Sequence, residues 1–258
     1  MTVVRLELGT VAQLELDDPP LNLVTGDLLR ELDDALAALE ATEPGDVRAV
    51  VVSGAGDKAF SVGSNVKEFE DHRGPAGRAR FELEARVAQR IAGLPMPTIA
   101  AIEGSALGGG LELALCCDLR VASERAQLGL PEVRLAVTPS TGGTQRLPRI
   151  VGLARAKELL LTGRILSARE AERIGLVNEV VPAGTAVARA RAIGDEIARR
   201  GPLAVREVKA LVDGALDHDL AAGHAAEVET SVRVFATDDL LEGARAFIDK
   251  REPHYRGR

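Results

Sequence analysis

The sequence predicts an α/β fold with a helical C-terminal region, and three observations carry the prediction. Runs of apolar, β-branched residues alternate with amphipathic helical stretches through residues 1–184, the signature of crossover units on a largely parallel sheet. Those apolar runs end directly in glycine-rich turns at 54–56 and 104–110. From 185 to 258 the apolar period is almost wholly helical. The expected organisation is an α/β core, 1–184, that holds the site, followed by an α-helical region, 185–258.

The elements follow in order. Residues 3–8 and 11–16 alternate apolar and polar positions about Gly9-Thr10, a strand–turn–strand pattern. Residues 28–39 are apolar at helical spacing, with Thr25 or Asp27 available as the cap. The β-rich run 47–52 ends at Gly54-Ala-Gly56, as a buried strand meeting a loop does. Residues 81–91 return to helical spacing. Residues 97–102 form a second apolar strand that passes at once into Gly104 and Gly108-Gly-Gly110. Beyond Gly142, helices are expected at 153–162 and from Ser167, where Ser167-Ala-Arg-Glu170 spells a capping box. A last short strand is expected at 177–181. Helices then fill 186–199, 203–216, 220–235 and 240–249, the last capped near Asp238 and Asp239. Apolar faces left over on these helices need a cover, and a neighbouring subunit is a candidate.

Composition excludes several classes. With 46% hydrophobic and 28% charged residues the chain can build a sizeable core and is not disordered. A net charge of −7 offers no basic face, and one Tyr with no Trp offers little for stacking bases. No nucleic-acid partner is expected. The two cysteines, Cys116 and Cys117, are adjacent and read as small buried residues, neither a disulfide nor a zinc site. Residues 1–8 show no basic-then-apolar leader, and no run approaches 18 uncharged apolar residues. A cytoplasmic protein without membrane attachment is expected. The dinucleotide, phosphate-loop and nucleophile-elbow glycine motifs are absent, as is H-E-x-x-H. His218 and His224 fall on a solvated helical face.

Four runs carry chemistry. In Ile102–Cys117 an apolar strand runs into glycines that open an apolar helix. Helix-start N–H groups are partly positive, and glycines let a ligand approach them, so this turn is a receptor for an anion or a developing oxyanion. Glu112 follows directly, the only ionisable residue from Ala106 to Cys117. Apolar surroundings raise a carboxyl pKa and suit it to proton transfer; the plainer role is complementing the first helical turn. In Gln127–Arg134, Pro131 suits a first helical position and Glu132 suits the helix dipole. Lys58–Lys67 places Ser64-Asn65 at a helix start after a glycine turn, with further exposed N–H groups. Pro139-Ser-Thr-Gly-Gly-Thr144 is another tight turn just beyond Glu132. Two donor turns and two carboxylates suffice to hold a carbonyl as it becomes an enolate and to move protons at the neighbouring carbons.

Taken together, these runs resemble the crotonase superfamily, specifically its enoyl-CoA hydratases, over nearly the whole chain. The strongest pieces are Lys58–Glu68, Ala106–Glu112, Cys117-Asp118, Leu130-Pro-Glu132 and Gly142–Leu147. The resemblance implies a spiral of ββα units with a helical C-terminal trimerisation region, and a homotrimer or dimer of trimers. It implies that Ser64 and Gly109 supply the two N–H groups of an oxyanion hole. Glu112 then activates water for attack at C3, and Glu132 exchanges the proton at C2. Ser64, Asn65, Val66 and Lys67 line the CoA moiety, with the Val62 backbone near the adenine. No metal and no separate cofactor are implied, CoA being part of the acyl-CoA substrate. Asn65 stands where Asp is frequent, and both cap helix starts. Ala136 and Ser140 stand where the hydratases usually have Gly. Ser140 lies close to the nucleophilic water, where its side chain narrows the pocket or bonds that water. Asp118 reads as a structural charge at a helix end. The expected reaction is reversible addition of water across the C2–C3 double bond of a trans-2-enoyl-CoA, giving a 3-hydroxyacyl-CoA, for which the resemblance implies the L form. The alternatives are a double-bond isomerase of the same superfamily, which typically needs one carboxylate, and a non-catalytic acyl-CoA-binding protein.

Overall fold

The computed structural model describes residues 2–258. The chain opens with the hairpin β1 (Val4–Glu7) and β2 (Val11–Leu16). Helix α1 (Gly26–Glu40) follows, capped by Thr25, whose hydroxyl accepts from the Leu28 N–H. Its Leu28, Leu29, Leu32, Leu36 and Leu39 are all fully buried, each worth about 1.5–3 kcal/mol of removal from water. Strands β3 (Ala49–Gly54) and β4 (Ala59–Ser61) lead to α2 (Arg78–Gly93). Strands β5 (Thr98–Ile102) and β6 (Ser105–Leu107) lead to α3 (Gly109–Leu115). Strands β7 (Leu119–Ser123) and β8 (Gln127–Gly129) lead to α4 (Gly143–Val151) and α5 (Leu153–Thr162).

This is the spiral of ββα units. Each turn gives one strand to each of two sheets, ordered β1-β2-β3-β5-β7-β10 and β4-β6-β8-β9. Strand β9 (Ile165–Ser167) closes the second sheet and β10 (Glu179–Val181) the first, with α6 (Ala168–Arg173) between them. The capping box at α6 is present as expected, Ser167 and Glu170 satisfying each other's N–H groups. Strands β2, β3, β5, β7 and β10 pair in parallel in the first sheet, as do β4, β6 and β8 in the second.

Of the later helices, α7 (Ala186–Ala198) packs on the first sheet. Its Ala186, Ala190 and Ala198 share a buried cluster with Val11, Ala49, Val51, Ile99, Ala101 and Val121. Small residues let the helix lie close to the strands. Helices α8 (Pro202–Asp213), α9 (Leu220–Phe235) and α10 (Asp238–Asp249) differ: among them only Thr230, Asp239 and Ala246 are buried. Thr237, not Asp238 or Asp239, caps α10 through its hydroxyl, while buried Asp239 accepts from the Arg256 and Gly257 N–H groups and ties down the C-terminus. Asp118 is structural, as read: it accepts from the Thr98 N–H at 2.7 Å and pairs with Lys209 of α8. Both cysteines are buried free thiols, and burial pushes Cys116 up to about 11 and Cys117 to about 12.

Candidate active site

The short second sheet builds the site. Its three parallel strands end side by side, and each runs on into one functional turn. Beyond β4 comes Ser64, beyond β6 comes Gly109, and beyond β8 comes Glu132. The register sets Ala106 between Ser61 and Leu128. Two glycines make this approach possible. A Cβ on Gly63, which has φ +84, would sit 2.9 Å from the Gly109 nitrogen. A Cβ on Gly110 would sit 2.1 Å from the Ser61 carbonyl oxygen, so only glycine lets α3 start this close to β4. Neither the Ser64 nor the Gly109 N–H donates to a protein oxygen among the described residues. Both residues line one cleft of about 690 Å³. That cleft also takes in Val62, Asn65, Val66, Glu112, Glu132 and Ser140. Lys67 lies outside it with an exposed side chain.

The expected helix starts at Asn65 and Pro131 are single 3₁₀ turns. Asn65 caps residues 66–68, accepting from the Lys67 N–H at 3.2 Å. Pro131 precedes the turn Glu132–Leu135. That turn ends on Ala136 in the left-handed region at φ 58, which explains why glycine suits this position. Left-handed backbone costs a residue with a Cβ roughly 1–2 kcal/mol. Ala136→Gly is therefore expected to stabilise the fold by about 1 kcal/mol, read as a Tm rise of about 2–4 °C in a thermal melt. An unchanged or lower Tm would show that the turn stores no such strain.

The two carboxyls are buried differently. Glu112 is 1% exposed. Its Oε1 accepts from the Thr141 N–H at 2.8 Å and the Gly143 N–H at 2.7 Å. Both bonds end on one oxygen, so Oε2 is the one available to a ligand. Burial raises its pKa; the backbone donors pull the other way, and the Glu84 charge adds to the rise. Glu132 has no such support. Both of its carboxyl oxygens are buried without a hydrogen-bond partner among the described residues. Burial, with a smaller push from Glu112, raises it to about 7. An unpartnered buried acid aimed into a cleft is costly for the fold and suited to proton transfer near neutrality.

Two residues of the site escaped the sequence reading. Arg80 and Glu84 of α2 are buried and line the cleft. Arg80 Nε donates to Glu84 Oε1 at 2.8 Å, and Ser140 Oγ donates to Glu84 Oε2 at 2.7 Å. Ser140 is thus tied to α2 and not free over the cleft. A signal for the pair was present: positions 80, 84, 87, 88 and 91 share one helix face, and two opposite charges i, i+4 sit on it among apolar residues.

Known proteins share this fold and much of this sequence. The chain is 39% identical over 251 residues to a short-chain-enoyl-CoA hydratase of Clostridium acetobutylicum, covering 97% of this chain and 95% of the relative. It is 40% identical over 241 residues to a mitochondrial methylglutaconyl-CoA hydratase of Rattus norvegicus, covering 92% of this chain and 76% of the relative. The crystal structure of an enoyl-CoA hydratase from Bacillus anthracis superposes with a TM-score of 0.95 at 40% identity, covering 99% of this chain and all of that one. Residues 7–258 match the family described as enoyl-CoA hydratase/isomerase. With the ββα spiral and both donor turns in place, the chain belongs to the enoyl-CoA hydratase/isomerase family.

Proposed function

We propose that this protein hydrates 2-enoyl-CoA thioesters reversibly. The observation that carries the reading is the pair of buried, pKa-raised carboxyls facing one cleft floored by two free N–H groups. The thioester oxygen sits on the Ser64 and Gly109 N–H groups, which favour it most as it becomes an enolate oxyanion. Glu112, held through Oε1, directs Oε2 at a water and takes its proton as the oxygen bonds to C3. Glu132, whose burial raises it to about 7, holds a proton near neutrality and delivers it to C2. The charges balance within the site, and no dissociable cofactor is needed. Val62, Ser64, Asn65 and Val66 line the approach for the CoA moiety. We assign the L-3-hydroxyacyl product from the trans substrate and a cytoplasmic location. No helix among the described residues is long and apolar enough to cross a membrane.

We further propose a homotrimer or a dimer of trimers built through the C-terminal helices. Val212, Leu216, Leu220, Val232, Phe235 and Phe247 are each more than 60% exposed there, a concentration of apolar surface that a partner subunit would cover. Light scattering on the eluting protein should give three or six copies; a monomer would refute the assignment. The reaction is tested by loss of the conjugated enoyl-thioester absorbance with crotonyl-CoA and longer 2-enoyl-CoAs. Rapid loss with formation of 3-hydroxyacyl-CoA is expected. Tight acyl-CoA binding without hydration would overturn the reading, and conversion of 3-enoyl-CoA to 2-enoyl-CoA alone would identify an isomerase.

A further inference from the structure

We propose that the buried Arg80–Glu84 pair is a positioning device for both halves of the site. The inference rests on the hydratase reading for its kinetic arm only. One Arg80 amino group donates to the Val24 carbonyl. Val24 in turn donates its N–H to the Gly63 carbonyl at 2.9 Å and bridges to Ser64, the residue that offers one oxyanion N–H. On its other side, Glu84 receives the Ser140 hydroxyl. Ser140 begins the segment whose Thr141 and Gly143 N–H groups clamp Glu112. A single ion pair on α2 therefore braces the oxyanion turn through Val24 and the Glu112 clamp through Ser140. Fold stability alone does not require it. A buried ion pair is often no more stabilising than apolar residues of the same volume, while its fork of directed bonds fixes geometry. The serine at 140 is also explained: a glycine there would leave Glu84 Oε2 without its donor, Arg80 holding only Oε1.

The test removes each arm. The double variant Arg80→Met with Glu84→Leu keeps volume and removes both charges. It should still fold, the apolar pair offsetting the lost ion pair against the freed Val24 carbonyl, yet its kcat for hydration should fall about 10–100-fold, the scale of a small misplacement of reacting groups. Ser140→Ala, which keeps the pair but cuts the link to the clamp, should lower kcat about tenfold with KM within about twofold, and Ser140→Thr should restore most of it. Hydrogen exchange across 139–143 in the substrate-free protein should quicken in Ser140→Ala and recover in Ser140→Thr. Unchanged kcat and unchanged exchange in both the double variant and Ser140→Ala would overturn the proposal. If the wild type hydrates no enoyl-CoA, the hydratase reading fails by itself, and the exchange of 139–143 still decides the positioning role.

Discussion

Glu132→Gln is expected to lower kcat for enoyl-CoA hydration by about 10²–10⁴-fold, the usual contribution of a general acid–base group. The amide cannot deliver a proton to C2, and it fills the same space. The same variant should be more stable than the wild type at pH 8. Burial holds Glu132 at about 7 against an ordinary 4.5, so the folded state binds more protons than the unfolded one between those values. Stability then falls as pH rises from about 4.5 through 7. Above pH 7 the wild type carries an unpartnered buried charge that glutamine lacks. Discounted for a partly solvated cleft, the difference is about 1–2 kcal/mol, readable as a Tm gap that is closed near pH 4, opens as pH rises from about 4.5 and is fully developed above about 7. A slow variant that melts higher only at high pH identifies Glu132 as the acid. A variant that hydrates normally removes it from the mechanism. Glu112→Gln should be comparably slow, since its oxygen can still accept from Thr141 and Gly143 while its amide group takes the place of the base.

Much of the core was legible because its elements are long. Helices 153–162 and 220–235 fall where periodicity places them, and the apolar runs at 47–52 and 97–102 become β3 and β5. The second sheet was not legible. Its strands β4, β6, β8 and β9 are three residues each, too short to show a period of two, and they are held by their neighbours and not by pattern. That sheet is nevertheless what brings Ser64, Gly109 and Glu132 together. The glycine turns marked where backbone donors would lie; only the parallel register showed that three turns far apart in sequence share one cleft. Glu112 was legible as an isolated charge in an apolar helix, whereas its clamp by Thr141 and Gly143 joins segments some thirty residues apart. Arg80 and Glu84 went unread because a charged i, i+4 pair on a helix usually faces water, and here it faces the site.

The oxyanion donor at Gly109 can be removed without disturbing the helix it opens. Gly109 is the first residue of α3, with Gly108 as its cap, and a first helical position is where proline fits best because its N–H has no partner in the helix. A Cβ there would lie 3.7 Å from Gly63 Cα and 3.8 Å from Val24 Cγ2, ordinary contact distances. The preceding Gly108 has no Cβ to clash with the ring. The first helical hydrogen bond, from the Glu112 N–H to the Gly108 carbonyl at 3.0 Å, is untouched. Gly109→Pro should therefore keep the helix start and Glu112 in place while replacing one donor hydrogen with the ring Cδ. Loss of one oxyanion donor costs about 2.7–4 kcal/mol of transition-state stabilisation, so kcat should fall about 10²–10³-fold. The ring Cδ also takes the place of the N–H hydrogen and crowds the thioester oxygen, so KM should rise and kcat/KM should fall further than kcat. Gly109→Ala, which adds the Cβ but keeps the N–H, is the control and should stay within severalfold of the wild type. If the proline variant is folded and hydrates as fast as the alanine variant, the enolate oxygen is held elsewhere, and the pairing of Ser64 with Gly109 is wrong.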